Sequence, residues 1–174
     1  YRIGAQYEIA PDWYLGGSFA YARTSATMDG GSSGHGDTFD GSMALKHTVG
    51  PWLFAGSVAL AHGSFDVNRQ VNLPGYSAPL ESKPNVFLAG GRLRAAYQFA
   101  FDGWYIQPYG DLDVIYTHLQ GVEETGSPLY ALDLDSSSDT NVALSLMVEF
   151  GGRVDLEQDM TLRPYASFGM RYLP

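Results

Sequence analysis

The sequence predicts an all-β fold, an antiparallel barrel wall with about eight strands in this chain, on three observations. Short turns alternate with long polar loops: the turns are Ala10-Pro11-Asp12, Val49-Gly50-Pro51, Phe101-Asp102-Gly103 and Glu157-Gln158-Asp159. Three of them run straight into tryptophan, at Trp13, Trp52 and Trp104. Between turns, apolar side chains alternate with polar or small ones, the period-2 signature of strands with two unlike faces. Short turns at one end, long loops at the other and an aromatic ring at the short end together describe an antiparallel transmembrane β-barrel.

Composition is compatible with that class and removes others. The 174 residues suit one domain, and no Pro/Ser-rich linker divides them. Hydrophobic residues make up 45%, yet no run approaches the ~20 apolar residues that a membrane-crossing helix needs. With no cysteine, neither a disulfide framework nor a thiolate metal site is available. A formal charge of −9 argues against nucleic acid as a partner, since that requires a basic footprint. No signal peptide opens the chain, because Tyr1 already begins a strand-like run; any targeting segment is expected to be cleaved or to lie outside the sequence.

Nearly every segment has one wholly lipid-compatible parity. Residues 1–10 put Ile3, Ala5, Tyr7 and Ile9 against Arg2, Gln6 and Glu8. From Trp13 onward Leu15, Gly17, Phe19 and Tyr21 share its face, opposite Tyr14, Gly16, Ser18, Ala20 and Ala22. In the third segment Phe39, Met43, Leu45 and Val49 oppose Asp40, Ser42, Lys46 and Thr48; in the fourth, Trp52, Phe54, Val58 and Leu60 oppose Ala55, Ser57, Ala59 and Ala61. Segment 86–101 sends Phe87, Ala89, Leu93, Ala95, Tyr97 and Phe99 outward and leaves Arg92, Arg94 and Gln98 inward. Segment 104–118 sends Trp104, Ile106, Leu112, Val114 and Tyr116 outward and leaves Gln107, Asp111 and Asp113 inward. The seventh sets Val142, Leu144, Leu146, Val148 and Phe150 against Asn141, Ser145, Glu149 and Arg153; the eighth sets Leu162, Ala166, Phe168, Met170 and Tyr172 against Thr161, Arg163, Ser167 and Arg171.

A soluble carrier barrel alternates in the same way. Charge separates the two, because the polar parity here is sparse in charge and rich in Gly, Ala and Ser, which suits a lumen better than a solubilising exterior. The long loops are expected at 23–38, 68–85 and 119–140, on the extracellular rim and without strands of their own. Both chain ends would then also lie at that rim. A finished bacterial barrel is expected to keep its ends in the periplasm, so the chain is expected to be incomplete at both ends.

Ile3-Gly4-Ala5-Gln6-Tyr7 leads to the run Trp13 to Tyr21, followed by the acidic Gly/Ser loop from Asp29 to Asp37 and the hairpin at Gly50-Pro51-Trp52. Further along come Ile106-Gln107-Pro108-Tyr109-Gly110-Asp111-Leu112 and Leu162-Arg163-Pro164-Tyr165-Ala166-Ser167-Phe168-Gly169. In these stretches the chain resembles the translocator β-domain of autotransporters, the type V secretion proteins. The resemblance is diffuse but runs the whole length. It implies a twelve-stranded barrel of which this chain is roughly strands two to nine, a bacterial outer-membrane location, and a passenger domain carried in cis. Outer-membrane lipid, lipopolysaccharide and the barrel-assembly machinery are the further partners implied. The chain departs from the family pattern in ending Leu173-Pro174, without a terminal aromatic, and in lacking a helix-forming segment.

Chemistry candidates are few. His62, His118, Asp111, Asp113 and nearby serines have no nucleophile-elbow spacing, so no catalytic residue is expected. The two histidines read as interface residues at strand ends, His47 as lying near a turn and His35 in a loop. Asp133, Asp135 and Asp139 lack the glycine and final glutamate of a calcium loop, so no metal and no cofactor is expected. Gly90-Gly91 and Gly151-Gly152 are not followed by helices and read as wall bends rather than phosphate cradles. The expected site is lumenal charge at Arg92, Arg94, Asp111, Asp113, Glu149, Arg153, Arg163 and Arg171, bounded by the aromatic belt Trp13, Trp52 and Trp104. The resemblance also implies Asp111, Asp113 and Glu149 as candidates for self-cleavage of a passenger linker. Translocation of a passenger is the first functional expectation; a surface-binding, adhesin-type barrel and a small diffusion pore remain open beside it.

Overall fold

In the computed structural model, residues 1–27, 31–155 and 160–173 are described. The expected turn Glu157-Gln158-Asp159 and the loop residues Asp29 and Gly30 lie outside them. Eight long strands follow one another in the sheet in chain order, every neighbouring pair antiparallel. They are β1 (Arg2–Ala10), β2 (Trp13–Thr27), β3 (Ser33–Val49), β4 (Trp52–Leu73), β6 (Asn85–Tyr97), β7 (Trp104–Leu119), β8 (Ser137–Gly152) and β9 (Tyr165–Tyr172); β5 (Tyr76–Ser82) pairs back on β4. In the described residues the sheet is an open, partial barrel wall, with β1 and β9 at its edges.

The short turns set the register. Ala10 pairs with Trp13 across Pro11 and Asp12, where proline fixes the first central residue and Asp12 takes φ 65°. Val49 pairs with Trp52 across Gly50 and Pro51, and glycine takes the φ of 54° there without the penalty a Cβ brings. Phe101 N–H donates to the Trp104 carbonyl at 2.9 Å, closing the third turn over Asp102-Gly103.

Once register is fixed, the parities expected from sequence become two faces of one sheet. The apolar face ends in two rows. At the short-turn end Trp13 stacks on His47 (4.0 Å between ring centroids) and Trp52 meets Tyr97 edge-on (4.9 Å). At the far end Tyr21, Phe39, His62, Phe87 and His118 are successive cross-strand partners. From Trp52 to His62 a strand rises about 25 Å, at ~3.4 Å per residue and a tilt of ~40°, the height of an outer-membrane apolar band.

Large apolar side chains on this face are open, Val58 at 60%, Leu93 at 62% and Met170 at 74%, whereas the described buried hydrophobics are only Ala20, Ala78, Leu80, Ala96 and Ala143. No protein core covers the apolar side. A soluble protein could not leave so much contiguous apolar surface bare. No described helix is long and apolar enough to cross a membrane, a fact that says nothing about crossing with strands.

The long-loop end departs from expectation. Residues 23–38 are mostly strand, because β2 continues to Thr27 and β3 begins at Ser33. His35 is accordingly a strand residue, 3.4 Å from Asp66 on β4, and not a loop residue. Residues 68–85 form a hairpin, β4 running to Leu73, turning at Gly75 (φ 79°) and returning as β5. In 119–140, Ser137 already belongs to β8, and 122–123 pairs with 133–134. Gly, Pro and Ser suggested structureless loops, but the hairpins here stand clear of the wall and are held by backbone pairing, which composition does not report.

Two glycines explain part of that pairing. The Phe65 ring lies across Gly36, its cross-strand partner, and Gly63, so a Cβ at either would strike the ring. Aromatic cover of bare glycine backbone is a device that pins strand register.

Candidate functional site

The polar face carries an ordered ladder of charge. Arg92 faces Asp113 and Arg94 faces Asp111 in direct register between β6 and β7. Arg92 Nε donates to Asp113 Oδ1 at 2.5 Å and Nη2 to Oδ2 at 3.2 Å; Arg94 makes two 2.6 Å bonds to Asp111 through Nε and Nη2. These are bidentate fork pairs, the strong geometry for guanidinium and carboxylate. Asp111 and Asp113 are each only 5% exposed, covered by the arginines that bind them. Arg171 on β9 approaches Asp113 to 4.0 Å, and Arg94 stacks over Tyr109 at 4.3 Å.

Glu149 accepts a 2.6 Å bond from the Tyr105 hydroxyl, one strand over. Toward β1 the ladder continues in residues that the sequence put on the polar parity but not in the expected charged site: Lys46 over the Tyr14 ring at 4.2 Å, Ser18 with Ser42 at 2.8 Å, and Arg2 with Asp40 at 3.0 Å. Counting register outward from the short turns would have found them, since Tyr14 must face Lys46 once Trp13 faces His47. Arg153 and Arg163 lie below the wall strands, after Gly152 and before Tyr165, where both line one cavity with Gln98 and Tyr105. Trp13, Trp52 and Trp104 all stand on the apolar face at the short-turn end, 37%, 45% and 48% exposed.

Beyond the far row, a second cluster joins the two protruding hairpins. Arg69 of β4 binds Glu124 through Nε (3.1 Å) and Nη2 (2.6 Å), and also donates to the Tyr130 carbonyl at 3.0 Å. Glu124 accepts the Leu132 N–H at 3.0 Å and is buried. Segment 125–126 adds to the free edge of β5, over the fully buried Leu80. Gly126 has φ 130°, and a Cβ there would meet the Pro79 carbonyl, so only glycine fits this approach.

The Arg69 guanidinium, helped by the Leu132 N–H, holds the Glu124 carboxyl below its ordinary 4.5. A group depressed in the folded state contributes stability above its unfolded pKa and loses it as pH falls through the folded one. The Arg69–Glu124 pair is therefore expected to hold at neutral pH and to open as pH falls below 4.5. Hydrogen-exchange protection factors across 122–134, which correct for the slower intrinsic exchange in acid, should fall in that range, and Glu124→Gln should bring the loss of protection to pH 7.

An open apolar face about 25 Å tall, backed by a paired polar face, is the wall of an outer-membrane barrel. The autotransporter beta-domain family matches residues 1–173, and the chain belongs to that family. The fold is similar to the translocator domain of autotransporter NalP from Neisseria meningitidis, with TM-score 0.76 and 12% identity over 95% of this chain. It is also similar to the beta domain of the Bordetella autotransporter BrkA, with TM-score 0.65 and 18% identity over 99% of this chain. The chain spans 57% of the NalP chain and 69% of the BrkA chain. No curated protein sequence matches it. The chain is outer-membrane β-barrel sequence, located in the bacterial outer membrane.

Proposed function

We propose that this domain turns its apolar face to lipid and its polar face to a water-filled lumen, and helps deliver a passenger carried in cis to the cell surface. The observation that supports this best is the ladder on the polar face. Arg92, Arg94, Asp111 and Asp113 satisfy one another in bidentate pairs, so the surface is polar yet locally neutral. Such a wall wets a lumen without offering a strong trap for a passing chain of either charge. Arg153 and Arg163 stand at the periplasmic mouth of that lumen, and Trp13, Trp52 and Trp104 form the belt at its periplasmic interface.

The eight wall strands supply part of a larger, twelve-stranded barrel; the partial coverage of the NalP chain is consistent with that. Lipid and lipopolysaccharide cover the outside, and the barrel-assembly machinery inserts it. The domain contributes no catalytic step and needs no cofactor.

The test is to fuse the intact parent protein to a surface epitope and delete residues 1–174. Loss of protease-accessible epitope on whole cells is expected. Undiminished surface exposure would contradict an export role.

A further inference from the structure

We propose that the tip of the two protruding hairpins is a docking surface for a cationic, apolar polypeptide segment supplied by another protein. The tip lies well outside the membrane band. β4 runs unbroken from His62, in the far aromatic row, to Leu73, about 35 Å further along the strand. Lipid cannot cover apolar side chains at that height.

Yet the tip is apolar. Leu73 pairs with Tyr76, whose ring lies 5.5 Å from that of Tyr130 and whose hydroxyl is 2.7 Å from Ser127 Oγ. Beside them Leu129 is 82% exposed, and Leu132 and Leu134 are both half exposed. The chain does not display these side chains because the segment is loose. Tyr130 and Ala131 N–H groups both donate to the Ser127 carbonyl, and Arg69 and Glu124 fix the segment from below. A structured apolar surface held in water is the mark of an interaction site.

Charge selects the partner. Asp133 and Asp135 alternate with Leu132 and Leu134, and Asp133 sits directly opposite Glu123 in a two-residue ladder. Like charges in direct register destabilise a strand pair, and neither carboxylate has an ion-pair partner among the described residues. The basic residues nearby are already committed, Arg69 to Glu124 and Lys83 to Asp66. A segment that alternates Lys or Arg with apolar side chains would relieve the repulsion and cover the leucines together. Anionic headgroups would be repelled.

The intact parent protein in neutral-lipid nanodiscs, titrated with a fluorescent synthetic peptide of alternating Lys and Leu, tests this, with empty nanodiscs as blank. The peptide is expected to bind saturably. Leu129→Ser, too exposed to threaten folding, should weaken binding about five- to tenfold. Asp133→Asn with Asp135→Asn should weaken it similarly and flatten its salt dependence. Asp102→Asn, at a short turn on the opposite end, should leave it unchanged. Equal binding of a Glu/Leu or a Lys/Ser peptide would overturn the proposal, as would wild-type affinity in both tip variants.

Discussion

Arginine in place of Val58 is expected to destabilise the barrel in a bilayer by about 2–4 kcal/mol, the cost of a charged side chain at the midplane of a lipid-facing wall. Val58 lies in the middle part of the strand between Trp52 and His62, stands on the apolar face between Met43 and Gly91, and is 60% exposed. No polar group on that face is within its register, so the guanidinium would have to snorkel past several residues to reach water. Arginine at Ala59, the next residue, points to the opposite face, where its cross-strand neighbours are Ser42 and Gly90. That variant should stay near wild-type stability. Denaturant titrations of the two variants refolded into lipid vesicles give the comparison, and comparable losses would contradict the face assignment.

Arg94→Ala is expected to have the next largest effect. It strips Asp111, which is 5% exposed, of two charge-assisted hydrogen bonds and removes the guanidinium that covers Tyr109. Leaving one member of a fully buried ion pair unpaired costs about 3–5 kcal/mol. Arg94 is itself one-third exposed, so water can re-enter beside the carboxylate and the loss should fall below that range. Arg94→Ala combined with Asp111→Asn should be less destabilised than the single arginine variant, because no buried charge then lacks a partner. The same vesicle titrations read it out. A double variant no better than Arg94→Ala alone would mean that the pair does not stabilise the wall as a unit.

The wall was legible because its physics is local. Trp52, Phe54, Val58 and Leu60 declare one face in four side chains, and Gly50-Pro51 tells where the strand turns. On the next hairpin the turn Phe101-Asp102-Gly103 does the same, and the neighbour relation of Arg94 and Asp111 follows from it by counting. What was illegible depends on contacts between distant segments. Arg69 and Glu124 lie 55 residues apart, and nothing in either neighbourhood names the other. The same holds for the strand character of His35, whose pairing with Asp66 follows from β3 and β4 continuing past the apolar band. Polar, Gly-rich sequence beyond that band carries no alternation strong enough to mark a strand, since both of its faces meet water. Periodicity reports strands only where two faces meet different media.

Spin-label accessibility along residues 53–61 tests the orientation of the wall most directly, because the chain has no native cysteine and each position can be labelled alone. In vesicles, collision with apolar oxygen and with a water-soluble nickel chelate should alternate residue by residue. Positions Phe54, Gly56, Val58 and Leu60 are expected to favour oxygen, and Leu53, Ala55, Ser57, Ala59 and Ala61 the nickel reagent. The opposite phase, or no alternation at all, would contradict a wall with lipid on its apolar face and a wet lumen on its polar one.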